Sequence, residues 1–248
     1  MVNIYDNKNI FRRYLKIRTN QFNANDIIEF PHIKKLLPRT SGLEVLDLGC
    51  GAGNYALKFF RNVKRLDAID SSKRMLNKFS QRLVKYKLGQ FYLHHTKAEN
   101  YNYPKSKYDL VFSTLLFHHI NNIDEIFFNV NQSLKKDGLF LFSVIHPLFM
   151  ACRSMGQRNN RGVVENEWVI QNYFKKGARK YIWLGKPVIK YHHLFSDYLR
   201  ALKVNGFELV DVCEPVLARK YVGKDKELDE YRRNPVFLIF LAKKCERR

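Results

Sequence analysis

The stretch Glu44-Val-Leu-Asp-Leu-Gly-Cys-Gly-Ala-Gly-Asn54 sets the frame for all 248 residues. It opens with an apolar strand, Val45-Leu46, that ends on an acid, Asp47. Glycines follow at alternate positions 49, 51 and 53, and a helical stretch runs from Tyr55 to Arg61. A chain that turns sharply from strand to helix, and that lets a ligand approach bare backbone, needs glycine there. The N–H groups that open the helix then face the crevice above the strand end.

Two common phosphate-binding turns do not fit. A dinucleotide fingerprint would place its glycines at 49, 51 and 54. Position 54 is Asn, and the third glycine comes one residue early. No Lys-Ser/Thr follows, which excludes a nucleotide-triphosphate P-loop. What remains is Asp-x-Gly-x-Gly-x-Gly.

Outward from the turn, strand and helix patterns alternate. Strands are expected at 45–48, 65–69, 90–93, 108–113 and 138–145, then at 207–212 and 236–241. Helices are expected at 54–62, 124–134 and 194–204, and Met75, Leu76, Phe79 and Leu83 recur at helical spacing after the second strand. Such alternation predicts a parallel sheet covered on both faces. Before the turn, Ile10, Tyr14 and Ile17 form one face of a helix over 9–18. A second helix over 24–30 is expected to stop at Pro31, and a short helical turn lies between Pro31 and Pro38. Residues 147–193 form a long connection rich in aromatic and basic side chains, and connections of that length are usually functional. Residues 218–234 read as a surface excursion.

The chain carries 46% apolar residues, enough for a substantial core, and a net charge of +21. The basic residues occur as scattered doublets such as Lys34-Lys35 and Arg232-Arg233, which reads as a solvated basic surface rather than a nucleic-acid footprint. The four cysteines have no Cys-x-x-Cys pairing, so neither a metal site nor a disulfide framework is expected. There is no leader pattern, and the longest apolar run, 139–145, is too short for a bilayer, so a cytoplasmic protein without membrane association is expected.

Asp70 ends the second strand, 23 residues after Asp47. An acid there can accept both hydroxyl protons of a ribose, and can equally cap the helix that follows. His118 and His119 follow the fourth strand, His146 follows the fifth, and His192 closes the long connection. His146 and His192, then His118, are the candidates for a general base near neutral pH. Each is also a plausible hydrogen-bonded structural histidine.

Several segments together resemble class I S-adenosylmethionine (SAM) methyltransferases. They are the glycine turn, Ala68-Ile-Asp-Ser-Ser-Lys-Arg-Met-Leu76, Lys97-Ala-Glu99, Tyr108 through Ile120, and Leu134 through Ser143. The flanks, including Asn3-Ile-Tyr-Asp6, Glu29-Phe-Pro31, Ser143-Val-Ile-His-Pro147 and Lys190-Tyr-His192, resemble the small bacterial methyltransferases of the methyltransferase-11 type. That resemblance implies a Rossmann-like α/β fold, a seven-stranded, mostly parallel sheet in the order 3-2-1-4-5-7-6 with the last strand antiparallel. It implies an N-terminal helical lid (1–43), a SAM-binding core (44–146), a small cap insertion (147–193) and a C-terminal part (194–248) that completes the sheet.

For the site, the resemblance implies that Asp47, Gly49 and Gly51 line the methionine and ribose, and that Asp70 holds the ribose. Ser71 and Met75 would border the adenine, and Ala98 would present backbone to it. Ser113 and Leu115 would lie under the sulfonium, and Tyr14 and Arg18 would close over it. Two positions depart from the family: Lys97 stands where an acid is usual, and His192-His193 where His-Arg is usual. The expected activity is methyl transfer from SAM, leaving S-adenosylhomocysteine, to an O or N atom of a small-molecule acceptor. No metal is expected, and the oligomeric state is left open. The alternatives are an enzyme acting on RNA or another polyanion, marked by steep salt dependence, and a SAM-binding protein without catalysis.

Overall fold

The computed structural model describes residues 3–86, 88, 90–155 and 168–245. Residues 156–167 of the expected cap lie outside the described residues. A 3-10 turn at Ile4–Asp6 leads into α1 (Lys8–Thr19), and a π-helical turn at Asn25–Glu29 runs into α2 (Phe30–Leu36). Pro31 therefore does not end a helix. It sits in the first turn of α2, where a missing N–H is tolerated. The core follows as β1 (Glu44–Leu48), α3 (Ala56–Phe59), β2 (Arg65–Asp70), α4 (Lys73–Tyr86), β3 (Phe91–His95), β4 (Tyr108–Thr114), α5 (Ile123–Ser133) and β5 (Leu134–Ile145). Then come α6 (Pro147–Ala151), β6 (Cys152–Met155), β7 (Trp168–Ile170), β8 (Gly177–Trp183), β9 (Lys186–His192), α7 (Phe195–Val204), β10 (Phe207–Cys213), α8 (Lys226–Tyr231) and β11 (Phe237–Lys244).

One seven-stranded sheet runs β3-β2-β1-β4-β5-β11-β10, the expected order. Its first five strands are parallel, and β11 is antiparallel to both neighbours. Parallel strands are covered on both faces, which is why β1 and β4 are buried along most of their length. On one face α5 and α7 bring Phe127, Val130, Tyr198 and Ala201 onto Phe140, Phe142 and Phe240. On the other, Ile33, Leu57, Phe79 and Leu83 cover Val45, Leu66, Phe112 and Leu141. Burying one such Phe or Leu contributes ~1.5–3 kcal/mol. That suffices to hold α3, a helix of one turn and shorter than its pattern predicts, through buried Ala56 and Leu57.

Two further departures have physical causes. Pairing of β5 with β4 begins at Leu134, four residues before the expected start, and residues 135–138 bulge outward between two stretches of ladder. Lys135, in the bulge, bridges Glu44 and Asp109, each at 2.9 Å. The segment expected as a surface excursion is only partly so. Leu217, Leu228 and Tyr231 are buried with Ile27 and Ile28, so α8 packs against the N-terminal helices. The hairpin β8–β9 stands apart from the main sheet as its own two-stranded ribbon. The C-terminal ends of β1, β2, β4 and β5 share one edge, and the loops that leave it build the site.

Candidate functional site

The glycine turn is docked onto the end of β2. Gly49 and Cys50 both donate to the Ile69 carbonyl at 2.9 Å, and Gly51 donates to Asp70 Oδ2 at 2.8 Å. Gly51 and Gly53 both adopt left-handed backbone (φ 55° and 75°) for different reasons. A Cβ on Gly53 would lie 2.2 Å from Phe79 Cδ2, so this glycine lets α4 pack against the turn. A Cβ on Gly51 would meet only the Tyr14 hydroxyl, at 4.0 Å, so here bare backbone borders open space. Arg82 pins the far side of the turn through the Ala52 carbonyl (2.8 Å) and Asn54 Oδ1 (2.6 Å).

Asp70 makes the capping contact expected of it and also ties down the glycine turn. Its Oδ1 accepts from the Ser72 N–H at 2.7 Å, just before α4, and its Oδ2 faces the glycine turn. Burial raises its pKa to about 6, against the pull of those two N–H groups. Asp47 is 2% exposed, and burial, then the neighbouring Asp70, raise its pKa to about 8. Two buried acids with raised pKa beside bare backbone can accept from ligand hydroxyls and face a cation.

The N-terminal segment forms the roof. Tyr14 lies over Gly51, and Tyr5 meets Tyr14 edge to face with ring centroids 5.2 Å apart. Trp183, at the tip of the β8–β9 hairpin, donates its Nε1–H to the Tyr5 hydroxyl at 3.1 Å. Arg18 is 8% exposed, with its guanidinium 5.7 Å from the Tyr55 ring centre and long contacts to Asn23 (3.4 Å) and Asp26 (3.5 Å). Its Nε is buried with no protein partner. A buried guanidinium with a spare donor is suited to a carboxylate.

The other expected positions fall where the fold carries them. Ser71 accepts from the Asn3 side chain at 2.7 Å, Met75 is buried in α4, and the buried Ala98 accepts the Tyr103 hydroxyl at its carbonyl. Lys97 and Glu99 are both exposed. The Ser113 hydroxyl is tied to the Leu48 carbonyl at 2.9 Å. Leu115, in left-handed backbone (φ 55°), donates to the Ser143 carbonyl at 2.9 Å.

The three candidate histidines stand on separate elements, and among the described residues no hydrogen bond or ring contact joins one to another. His146 caps α6 through Nδ1 and holds Glu214 through Nε2 at 2.8 Å, so both ring nitrogens are engaged. His192 is fully buried with Nε2 on the Tyr173 carbonyl at 2.6 Å. That carbonyl can only accept, so Nε2 carries the proton and Nδ1, buried without a partner, holds a lone pair. His118 lies against His119 with ring centroids 4.4 Å apart, and its Nδ1 is likewise buried without a partner. Burial holds all three below the usual histidine pKa, His118 well below. With Lys176, His193, Asp197 and Arg200, His192 lines a cavity of about 310 Å3.

Glu29, quoted above only within a flanking segment, was given no role by the sequence reading. Glu29 is fully buried, accepting from Ser143 at 2.5 Å, Tyr55 at 2.6 Å and Asn25 at 2.7 Å. Burial raises its pKa despite those three donors. A lone acid in the apolar run Ile27-Ile-Glu-Phe30 was the signal available.

Residues 45–138 match the family model of a methyltransferase domain. A malonyl-[acyl-carrier protein] O-methyltransferase 2 of Ilyobacter polytropus is 31% identical, over 77% of this chain and 74% of its own. A ubiquinone biosynthesis O-methyltransferase of Rickettsia bellii is 29% identical, over 86% and 81%. The crystal structure of an S-adenosylmethionine dependent methyltransferase from Mesorhizobium loti superimposes with a TM-score of 0.77 at 29% identity, covering 87% of this chain and 97% of that one.

Proposed function

Since the chain belongs to the class I S-adenosylmethionine-dependent methyltransferases, we propose that it methylates an oxygen or nitrogen atom of a small-molecule acceptor. Oxygen is favoured, because the two relatives above are named O-methyltransferases. The observation that carries the cofactor position is the open space at Gly51, bordered by Asp70 and lying under the Tyr14 hydroxyl. The residues present fit the group: the unpartnered Arg18 Nε suits a carboxylate, and Asp70 suits a ribose diol.

Bound there, SAM supplies a methyl group on an electrophilic sulfonium, which is displaced in line by the acceptor. Gly49 and Gly51 give backbone access, and Asp47 and Asp70 face the cationic and hydroxyl-bearing parts. Ser71, Met75 and Ala98 border the adenine. Ser113 and Leu115 shape the strand ends under the reacting centre by fixing β4 to β1 and β5. Residues 1–43 act as the lid, 44–146 as the cofactor core, 147–193 as the acceptor-side cap and 194–248 as the closing strands. Where the acceptor carries a proton, His192 or His118 accepts it, since each keeps a buried ring nitrogen without a partner. His146 has none free and serves as the cap of α6.

Calorimetric titration with SAM and S-adenosylhomocysteine tests the site. Asp70→Ala is expected to lose about a hundredfold or more in affinity while remaining folded by circular dichroism. Unchanged affinity would remove the cofactor from this crevice. The RNA alternative predicts instead a steep fall of RNA binding with salt.

A further inference from the structure

The hairpin β8–β9 presents one face inward and one outward. On β8 the inward positions are Arg179, Tyr181 and Trp183, which alternate in burial with exposed neighbours. In the antiparallel register Arg179 stands directly opposite Lys190, and Tyr181 opposite Val188. Two cations facing each other across a ladder repel. Arg179 is relieved, because its guanidinium donates to the main-chain carbonyls of Met150 (2.8 Å), Asn172 (2.6 Å) and Lys175 (2.9 Å).

Lys190 has no such relief. Among the described residues it makes no ion pair. Its ammonium lies 5.3 Å from the Tyr181 ring centre and 5.5 Å from that of Trp183. Against the hairpin packs the turn after β4, where Lys190 faces His118 and His119, both held neutral by burial. Among the described residues, the groups that face this ammonium are two aromatic rings and two uncharged imidazoles, and His118 Nδ1 lacks a partner. Burial brings the Lys190 pKa down to about 8, and among the described residues no carboxylate pairs with it. A half-buried cation with no ion pair among the described residues is costly unless the working state adds an anion.

We propose that the inward face of this hairpin recognises the methyl acceptor by an oxyanion, a carboxylate or phosphate, that binds Lys190 between Tyr181 and Trp183. The assignment rests on the methyltransferase reading and narrows it, making the acceptor a small acid. Its anionic group is held on the hairpin, away from the glycine turn, and the methylated atom lies elsewhere on the molecule or is the second oxygen of the same group. The basic charge of the chain then has one local use that scattered surface lysines do not.

The test is calorimetry on the full chain saturated with S-adenosylhomocysteine, using benzoate, phenyl phosphate and uncharged benzyl alcohol as probes. Wild type is expected to bind benzoate or phenyl phosphate at least about tenfold more tightly than benzyl alcohol, the better probe telling carboxylate from phosphate. Lys190→Met should lose that preference, and Lys190→Arg should keep most of it, with S-adenosylhomocysteine affinity unchanged in both. The proposal is overturned if wild type prefers none of the anions, or if Lys190→Met keeps the preference. Failure of wild type to bind S-adenosylhomocysteine would instead overturn the cofactor reading, and this site with it.

Discussion

Asp67 and Asp47 are both buried acids on neighbouring strands, with opposite fates. Asp67 loses hydration on burial, but Arg65, Lys107 and His94 surround it at 2.8 to 2.9 Å and hold its pKa well below the usual range. Its charge is satisfied by the protein, which marks a structural group. Its stabilisation is present above its unfolded pKa and is lost as pH falls through the folded value. Asp47 is pushed the other way, to about 8. The folded protein without ligand therefore loses stability as pH rises from the usual carboxylate range through about 8. A melting series from about pH 6 to 9 should show that loss in wild type and its disappearance in Asp47→Asn. A cationic ligand beside Asp47 stabilises the carboxylate, so cofactor binding should release protons near pH 7. Titrations in buffers of different ionisation enthalpy measure that number, and zero release would show that no cation sits beside Asp47. Glu29 belongs to the same scale. Glu29→Gln keeps the shape but turns an acceptor into a donor facing Ser143, Tyr55 or Asn25, and is expected to cost about 1–3 kcal/mol by denaturant melting.

Within the glycine turn, neighbouring positions serve different partners, and substitution separates them. Gly53→Ala drives a methyl into Phe79 in α4 and should cost about 1–3 kcal/mol of stability, partly restored by Phe79→Leu. Gly51→Ala meets nothing closer than the Tyr14 hydroxyl and pays only the left-handed backbone term, about 1 kcal/mol, but should lose most of the cofactor affinity. Equal losses of stability in the two variants would mean that the space at Gly51 is not a ligand space. The turn and its strand were legible because both are local: alternate glycines, an acid at a strand end, then helical spacing. Pro31 shows the limit of that reading. The same residue can stop a helix or start one, and only the following turn distinguishes the cases.

Across the whole molecule, alternation predicted a parallel sheet covered on both faces, and the strand order came from the resemblance. The roof did not. Glu29 and Ser143 are 114 residues apart, and Trp183 and Tyr5 are 178 apart, and no periodicity records such meetings. The burial of Leu228 and Tyr231 against Ile27 and Ile28 was hidden in the same way, behind a charged segment. A net charge of +21 also acts at this scale. Self-repulsion destabilises the compact state, so raising salt from about 50 to about 500 mM should raise the melting temperature. A fall would mean that specific ion pairs outweigh the repulsion. Finally, the contacts from Trp183 through Tyr5 and Tyr14 to Gly51 tie together the two ends of the crevice. A ligand seated at Gly51 would lie beneath Tyr14, so its release is expected to disturb the Tyr14–Tyr5–Trp183 contacts. If that displacement is slower than methyl transfer, turnover is expected to fall in proportion to added viscosity, which a series in sucrose measures.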